Sequence, residues 1–228
     1  MNIGIVGQGN VGTHLLKGLQ SKHNVYVIPR SLELPHGLDL ILVAVSDDQT
    51  LAVVDALPQE VLVAHTAGSV PCASGEKRGV FYPLYSFSKS ALLDWQLVPL
   101  LLEGSTPDAL GTLESLAKEL TDKTYSISSE QRQWLHASAV AVNNFTNHLY
   151  SRAFDHIKAK DIPVEVLHPI MLQGPQKAIE LGPENAQTGP AIRRDASTVR
   201  KHQAMIEDET FVELYNALTK SIDEYHNS

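Results

Sequence analysis

Two groups of residues carry the chemistry that this sequence offers. The first is Gly7-Gln8-Gly9-Asn10-Val11-Gly12, a G-x-G-x-x-G run. In such a run the first glycine makes a tight turn, the second lets the backbone approach a pyrophosphate, and the third lets helix and strand pack closely. The phosphates then meet free N–H groups and the positive end of a helix dipole. At the tip of the next strand, NAD sites place a carboxylate and NADP sites tend to place an arginine. Here the chain reads Pro29-Arg30-Ser31, and Glu33 lies past the tip. Arg30 offers a charged donor to a 2′-phosphate and Ser31 a hydroxyl. The expected cofactor is therefore NADP(H). The plain alternatives are a glycine-rich turn without a ligand and a solvated surface arginine.

The second group lies in Gln133 to Ser151, a stretch without Asp, Glu, Lys or Arg. A helix with no charged face is expected to be buried on all sides. At 100° per residue, His136, Asn143 and Asn147 share a narrow arc, with Val140 among them. Each polar group orphaned there would cost about 1–3 kcal/mol, so a substrate, a facing helix or a second subunit must satisfy it. Imidazole titrates near neutrality, which makes His136 the candidate general acid. Asn143 is the candidate to orient a substrate, with Asn147 beside it. Arg193 could pair with a substrate carboxylate or, structurally, with Asp195. With one cysteine, Cys72, and no His/Asp/Glu pair at i,i+4 on the helix, no metal site is expected.

These residues need elements to position them. Asn2 to Val6 is a short apolar run of the kind a buried parallel strand uses, and Val11, Leu15, Leu16 and Leu19 then recur at helical spacing. Val25 to Ile28 is a second strand, so the glycine run sits inside a βαβ unit. Further strands are expected at Leu40 to Val45, Val61 to His65, Gly79 to Tyr82, Val98 to Leu102 and Lys123 to Ile127. Helices are expected from Ser46-Asp47-Asp48 to Leu57 and over Thr106 to Leu120. A crossover between parallel strands usually takes a dozen or more residues and a helix. The stretch Ser31 to Gly37 is too short for one, so a loop or single turn is expected, leaving the adenosine side open. Ligands of such sheets bind beyond the carboxyl ends of the strands. Val45-Ser46-Asp47, His65-Thr66-Ala67-Gly68-Ser69 and Tyr82-Pro83-Leu84 fall there. Val45, Ser46, His65, Ala67 and Gly68 are candidates for the cofactor side, and Ser69 for the substrate side.

From Ser128 the pattern becomes helical. Helices are expected from Ile162-Pro163 past Ile179, where Gly182-Pro183 breaks the run, then to about Ile206, and over Glu209 to Tyr225. Thr188-Gly189 opens a compact turn through Asp195 and joins the substrate-side candidates. The division is thus 1–127, a doubly wound α/β domain, and 128–228, an all-helical domain. The chain has 228 residues and a formal charge of −8. That balance argues against nucleic acid as the main partner. No apolar run reaches the ~18 residues that span a bilayer. No basic segment precedes an apolar stretch at the N-terminus, so a cytoplasmic location is expected.

Together these motifs resemble a bacterial family in which a Rossmann-like NADP-binding domain precedes a helical domain of unknown function. The carriers are Gly7 to Gly12, His65-Thr66-Ala67-Gly68-Ser69, Tyr82 to Ser88, His136 to Val140, Asn143-Asn144-Phe145, Thr188 to Asp195 and His202. The resemblance implies an NADP oxidoreductase, similar to deazaflavin-dependent NADP reductases and pyrroline-5-carboxylate reductases. It also implies a homodimer formed through the helical domain. In β-hydroxyacid dehydrogenases the corresponding helix carries Lys-x-x-Asn-Asn, with the lysine as acid/base. Here Asn143-Asn144 is present but Val140 occupies the lysine position, so His136 is the substitute. The alternative function is a non-catalytic NADP(H)-binding sensor.

Overall fold

A computed structural model of the chain describes residues 1–89 and 92–227. Two compact units divide it, Met1–Val142 and Asn143–Ser228.

The first unit is built on a seven-stranded sheet in the order β2-β1-β3-β4-β5-β6-β7. The strands are β1 (Asn2–Val6), β2 (Asn24–Ile28), β3 (Leu40–Val43), β4 (Leu62–His65), β5 (Arg78–Pro83), β6 (Leu100–Gly104) and β7 (Thr124–Ser126). β1 to β5 are parallel. β6 runs antiparallel to β5 and carries β7 parallel to itself, so the sheet is not wholly parallel as the alternation of elements implied. Strand direction depends on the route of the connection, and the run Leu100–Leu102 reads the same either way.

Alternate residues of the central strands serve opposite faces, as the period of two requires. Ile3, Ile5, Leu40, Leu42, Leu62 and Ala64 pack on one face with Leu15 and Leu19 of α1 (Asn10–Leu19) and Leu113 and Leu116 of α3 (Pro107–Lys118). Val6, Ile41, Val43 and Val63 pack on the other with Val54 of α2 (Asp47–Asp55). No helix joins β2 to β3. Leu32, Leu34 and Leu38 of that loop cover the sheet instead. Leu32 reaches it from a left-handed backbone (φ 57°), unusual for leucine, and its side chain is partly buried against the sheet.

α4 (Ser129–Ala139) also belongs to the first unit, so the division falls after this helix and not at 127/128. The capping box Ser128/Gln131 starts the helix. Arg132, fully buried, then ties it to the sheet by an ion pair with Glu103 of β6 and a hydrogen bond to the Val70 carbonyl. Ser129 donates to Glu103 and accepts from the Cys72 N–H. A pattern read for apolar periodicity does not register such a buried ion pair.

The second unit is helical: α5 (Thr146–Lys158), α6 (His168–Leu181), α7 (Pro183–Ala186), α8 (Ala196–Met205) and α9 (Glu209–Asn227). Gly182, with φ 78°, ends α6 ahead of Pro183. Asp195 caps α8 by accepting from Thr198. No helix among the described residues is long and apolar enough to cross a membrane.

Candidate functional site

A cleft of about 1180 Å³ opens at the carboxyl ends of β1, β2 and β3. Strand order reverses here, with β2 and β3 on opposite sides of β1, the position at which open α/β sheets bind ligands. Its floor is the glycine run. Gly7 has φ 101°, and a Cβ there would lie 2.2 Å from the Ala44 carbonyl oxygen. A Cβ on Gly12 would lie 2.0 Å from the Gly7 carbonyl oxygen. Both positions therefore demand glycine for the chain's own packing. Gly9 differs, because a Cβ there would meet no atom within 4 Å. The space it leaves faces outward, where a ligand's phosphates would come. Gly9 is also the N-cap of α1 and offers no side-chain cap, so the first N–H groups of the helix remain available to an anion.

Gln8, Asn10, Val11, Arg30, Val45 and Ser46 line the same cleft. The side-chain amide of Asn10 is already engaged, donating to the Phe87 carbonyl at 2.9 Å. That bond ties the glycine loop to the segment after β5, leaving the Asn10 backbone for a ligand. Arg30 is exposed and makes no hydrogen bond or ion pair among the described residues. Ser31 is exposed and lies outside the lining. Asp47 and Thr66, from the two strand-end segments expected to wall the pocket, line the cleft, as does Gln49, which the sequence did not single out because an amide in a first helical turn reads as part of the helix.

His65 is placed differently from expectation. It has no exposed surface. Its Nδ1 accepts from the Ala67 N–H at 3.2 Å, and its Nε2 lies 3.1 Å from the Pro71 carbonyl. Burial, the largest cause, lowers its pKa from 6.5 to about 4. The ring is thus neutral and shapes the loop after β4 instead of reaching a ligand. Ala67 and Gly68 are buried in the same loop.

Beside the cleft lies a polar cluster. The Ser69 hydroxyl donates to Asp47, and Gln133 donates to the Ser69 carbonyl at 3.0 Å. Tyr82 Oη sits 2.9 Å from His136 Nδ1. Burial first, then the Asp47 charge, raise the Tyr82 pKa, with Arg132 opposing. The structure thus brings His136 together with Tyr82 and Gly68. The sequence placed Tyr82 at a strand end where ligands bind and within the motif Tyr82 to Ser88, without joining it to His136. Its partner is 54 positions away, so no local signal could join them.

The stretch expected to be buried is exposed within the chain: Trp134 is 72%, Val142 74% and Phe145 61% accessible. A π-helical segment, Val140–Phe145, follows α4. The 100° spacing that aligned His136 with Asn143 does not hold through it, because each π turn takes an extra residue. In the second unit, Asn143 and Asn147 are exposed on their helix, and Asn143 donates to Asn144 at 3.3 Å. Gly189 adopts φ 112° in the turn after exposed Thr188. Arg193 is exposed, and its charge helps to lower the Asp195 pKa behind the Thr198 hydrogen bonds.

The sheet order and the glycine-lined cleft define a Rossmann-like domain, here followed by a helical unit. The chain belongs to the family described as a domain of unknown function, DUF2520, whose model matches residues 98–222. It is similar to a candidate NADP oxidoreductase of Bacteroides fragilis, with 32% identity, 98% of each chain covered and a TM-score of 0.85. It also resembles a protein of Thermotoga maritima (22% identity, 98% of each chain, TM-score 0.76). An imine reductase of Myxococcus stipitatus in complex with NADP+ shares the fold at 15% identity, with 98% of this chain and 93% of the other covered and a TM-score of 0.66. No curated protein matches the chain.

Proposed function

We propose that this protein is an NADP(H)-dependent oxidoreductase acting on a small polar substrate. The observation that carries the reading is the cleft at the strand-order reversal. There the open space at Gly9, the uncapped start of α1 and the unpartnered Arg30 face one volume. The family relative named as a candidate NADP oxidoreductase supports it.

The residues fit the cofactor. The backbone from Gly7 to Gly12 would hold the pyrophosphate, Arg30 the 2′-phosphate, and Val45, Ser46 and Thr66 the groups beyond the β3 and β4 ends. When bound, NADPH supplies a hydride, two electrons and a proton in one transfer. The protein must then provide the second proton. His136 is its proposed source, and Ser69 is a proposed contact of the substrate.

Titration of NADPH and NADH, followed by melting temperature, tests the reading. NADPH is expected to bind at least tenfold tighter (~1.4 kcal/mol), and Arg30→Ala to bring the two affinities together. Equal affinities in the parent would defeat the assignment of Arg30, and no binding of either would defeat the oxidoreductase reading.

A further inference from the structure

Tyr82 and His136 form a close pair inside the first unit. Beyond the 2.9 Å contact, their rings meet edge to face, with centroids 5.9 Å apart at 68°. Gly68 makes room for it. A Cβ there would come within 2.5 Å of His136 Nδ1 and 2.7 Å of Tyr82 Cζ. Among the described residues His136 Nε2 has no hydrogen-bond partner, so one ring nitrogen is committed and the other is open.

We propose that Tyr82 is the positioning residue for His136, its hydroxyl donating to Nδ1 so that the neutral ring carries its proton on Nε2. The role rests on the reading of His136 as the proton source. The direction of the bond follows from acidity. A phenol O–H is far more acidic than a neutral imidazole N–H, and an imidazole nitrogen is far more basic than a phenol oxygen. The stronger pairing is therefore O–H to N. Burial and Asp47 reinforce it by keeping the phenol protonated, against the weaker pull of Arg132. A hydroxyl also accepts, so the contact survives when the ring carries both protons and Nδ1–H points at the phenol oxygen. The ring is thus held in one orientation in either protonation state. As an acid the doubly protonated ring gives up its proton from Nε2 and is left as the Nδ1–H tautomer donating to the phenol oxygen; a proton taken from water at Nε2 and one lost from Nδ1 restore the resting tautomer, with Tyr82 a neutral phenol throughout. A tyrosinate is not formed.

Histidine-labelled protein, studied by ¹⁵N NMR at a pH where the ring is neutral, tests this. His136→Asn identifies the resonances. The expected parent spectrum shows a protonated Nε2 and an unprotonated Nδ1 shifted upfield as a hydrogen-bond acceptor. In Tyr82→Phe, which keeps the ring and its packing, that Nδ1 resonance is expected to move downfield while Nε2 stays. Gly68→Ala, which wedges a methyl group into the pair, is expected to move it in the same direction. A protonated Nδ1 in the parent, or an Nδ1 unmoved in Tyr82→Phe, would overturn the proposal. NADPH titration of the same proteins separates the two levels. Tyr82 lies outside the cleft lining, so parent and Tyr82→Phe are expected to bind alike. Failure of the parent to bind NADPH would remove the reading on which the role rests, whatever the resonances show.

Discussion

Arg132 of α4 and Glu103 of β6 form an ion pair in which the arginine side chain has no exposed surface. The pair joins the helix that carries His136 to the sheet that carries Tyr82. Removing one member of such a pair leaves the other charge without compensation, typically at a cost of 3–5 kcal/mol. Arg132→Met is expected to destabilise the first unit by about that much. The double variant Arg132→Met with Glu103→Leu is expected to cost less than either single change. Urea denaturation followed by tryptophan fluorescence measures this in the first unit, since Trp95 and Trp134 both lie there. Additive costs would show that the pair is not coupled.

His65 makes the first unit sensitive to acid. Its folded pKa, about 4, lies below the 6.5 of an ordinary histidine. Below pH 6.5 the unfolded chain takes up a proton that the folded chain refuses. Stability is therefore expected to fall as the pH drops from 6.5 towards 4, and this contribution to level off below. A shift of that size corresponds to roughly 3 kcal/mol across the window. His65→Asn is expected to be less stable at pH 7 but to lack this step. Urea midpoints across the window decide it, and parallel profiles for parent and variant would assign the acid sensitivity to other groups.

How far these features were legible in the sequence depends on their range. β3 and β4 are buried on both faces, and the apolar runs Leu40–Val43 and Leu62–Ala64 announce that. The missing crossover helix was legible from chain length alone, although the left-handed turn at Leu32 was not. Charge-free composition between Gln133 and Ser151 was a real signal with a wrong first meaning. It marks a surface lacking charge, and within one chain that surface is exposed. The buried polar groups Arg78, Arg132 and His65 were invisible as such. Arg78, for instance, spends its guanidinium on the carbonyls of Val61, Lys77, Leu57 and Pro58, acceptors drawn from the turn after α2 and from the residue beside it. Only the fold brings those acceptors to it. The same holds for the candidate site: the glycine run is local and was read from sequence, while the Tyr82–His136 pair is not.

The exposed stretch that begins with Trp134 bears on assembly. Trp134, Val142 and Phe145 present large apolar surfaces along a segment without charges. Large apolar patches on a soluble chain mark interaction surfaces, and a homodimer is the partner proposed for this one. Sedimentation velocity is expected to show a dimer for the parent. Phe145→Glu, which would bury an unpaired charge at the contact, is expected to shift it to a monomer at micromolar concentration. A parent that sediments as a monomer would leave this face to another partner.

Gly9 offers the cleanest separation of fold from function. Its backbone, φ −69° and ψ −167°, is an extended conformation open to any residue. A Cβ would touch nothing in the chain within 4 Å. Alanine there loses only the preference of an N-cap for glycine, worth less than about 1 kcal/mol. Gly9→Ala is therefore expected to melt close to the parent. The added methyl group would stand where the pyrophosphate must approach the backbone, so NADPH affinity is expected to fall at least tenfold (~1.4 kcal/mol). Gly12→Ala is the contrasting control. Its Cβ would lie 2.0 Å from the Gly7 carbonyl oxygen, so it is expected to lose stability and binding together. Should Gly9→Ala bind NADPH as the parent does, the phosphates would not sit over the glycine run, and the cleft would have to hold its ligand in another orientation.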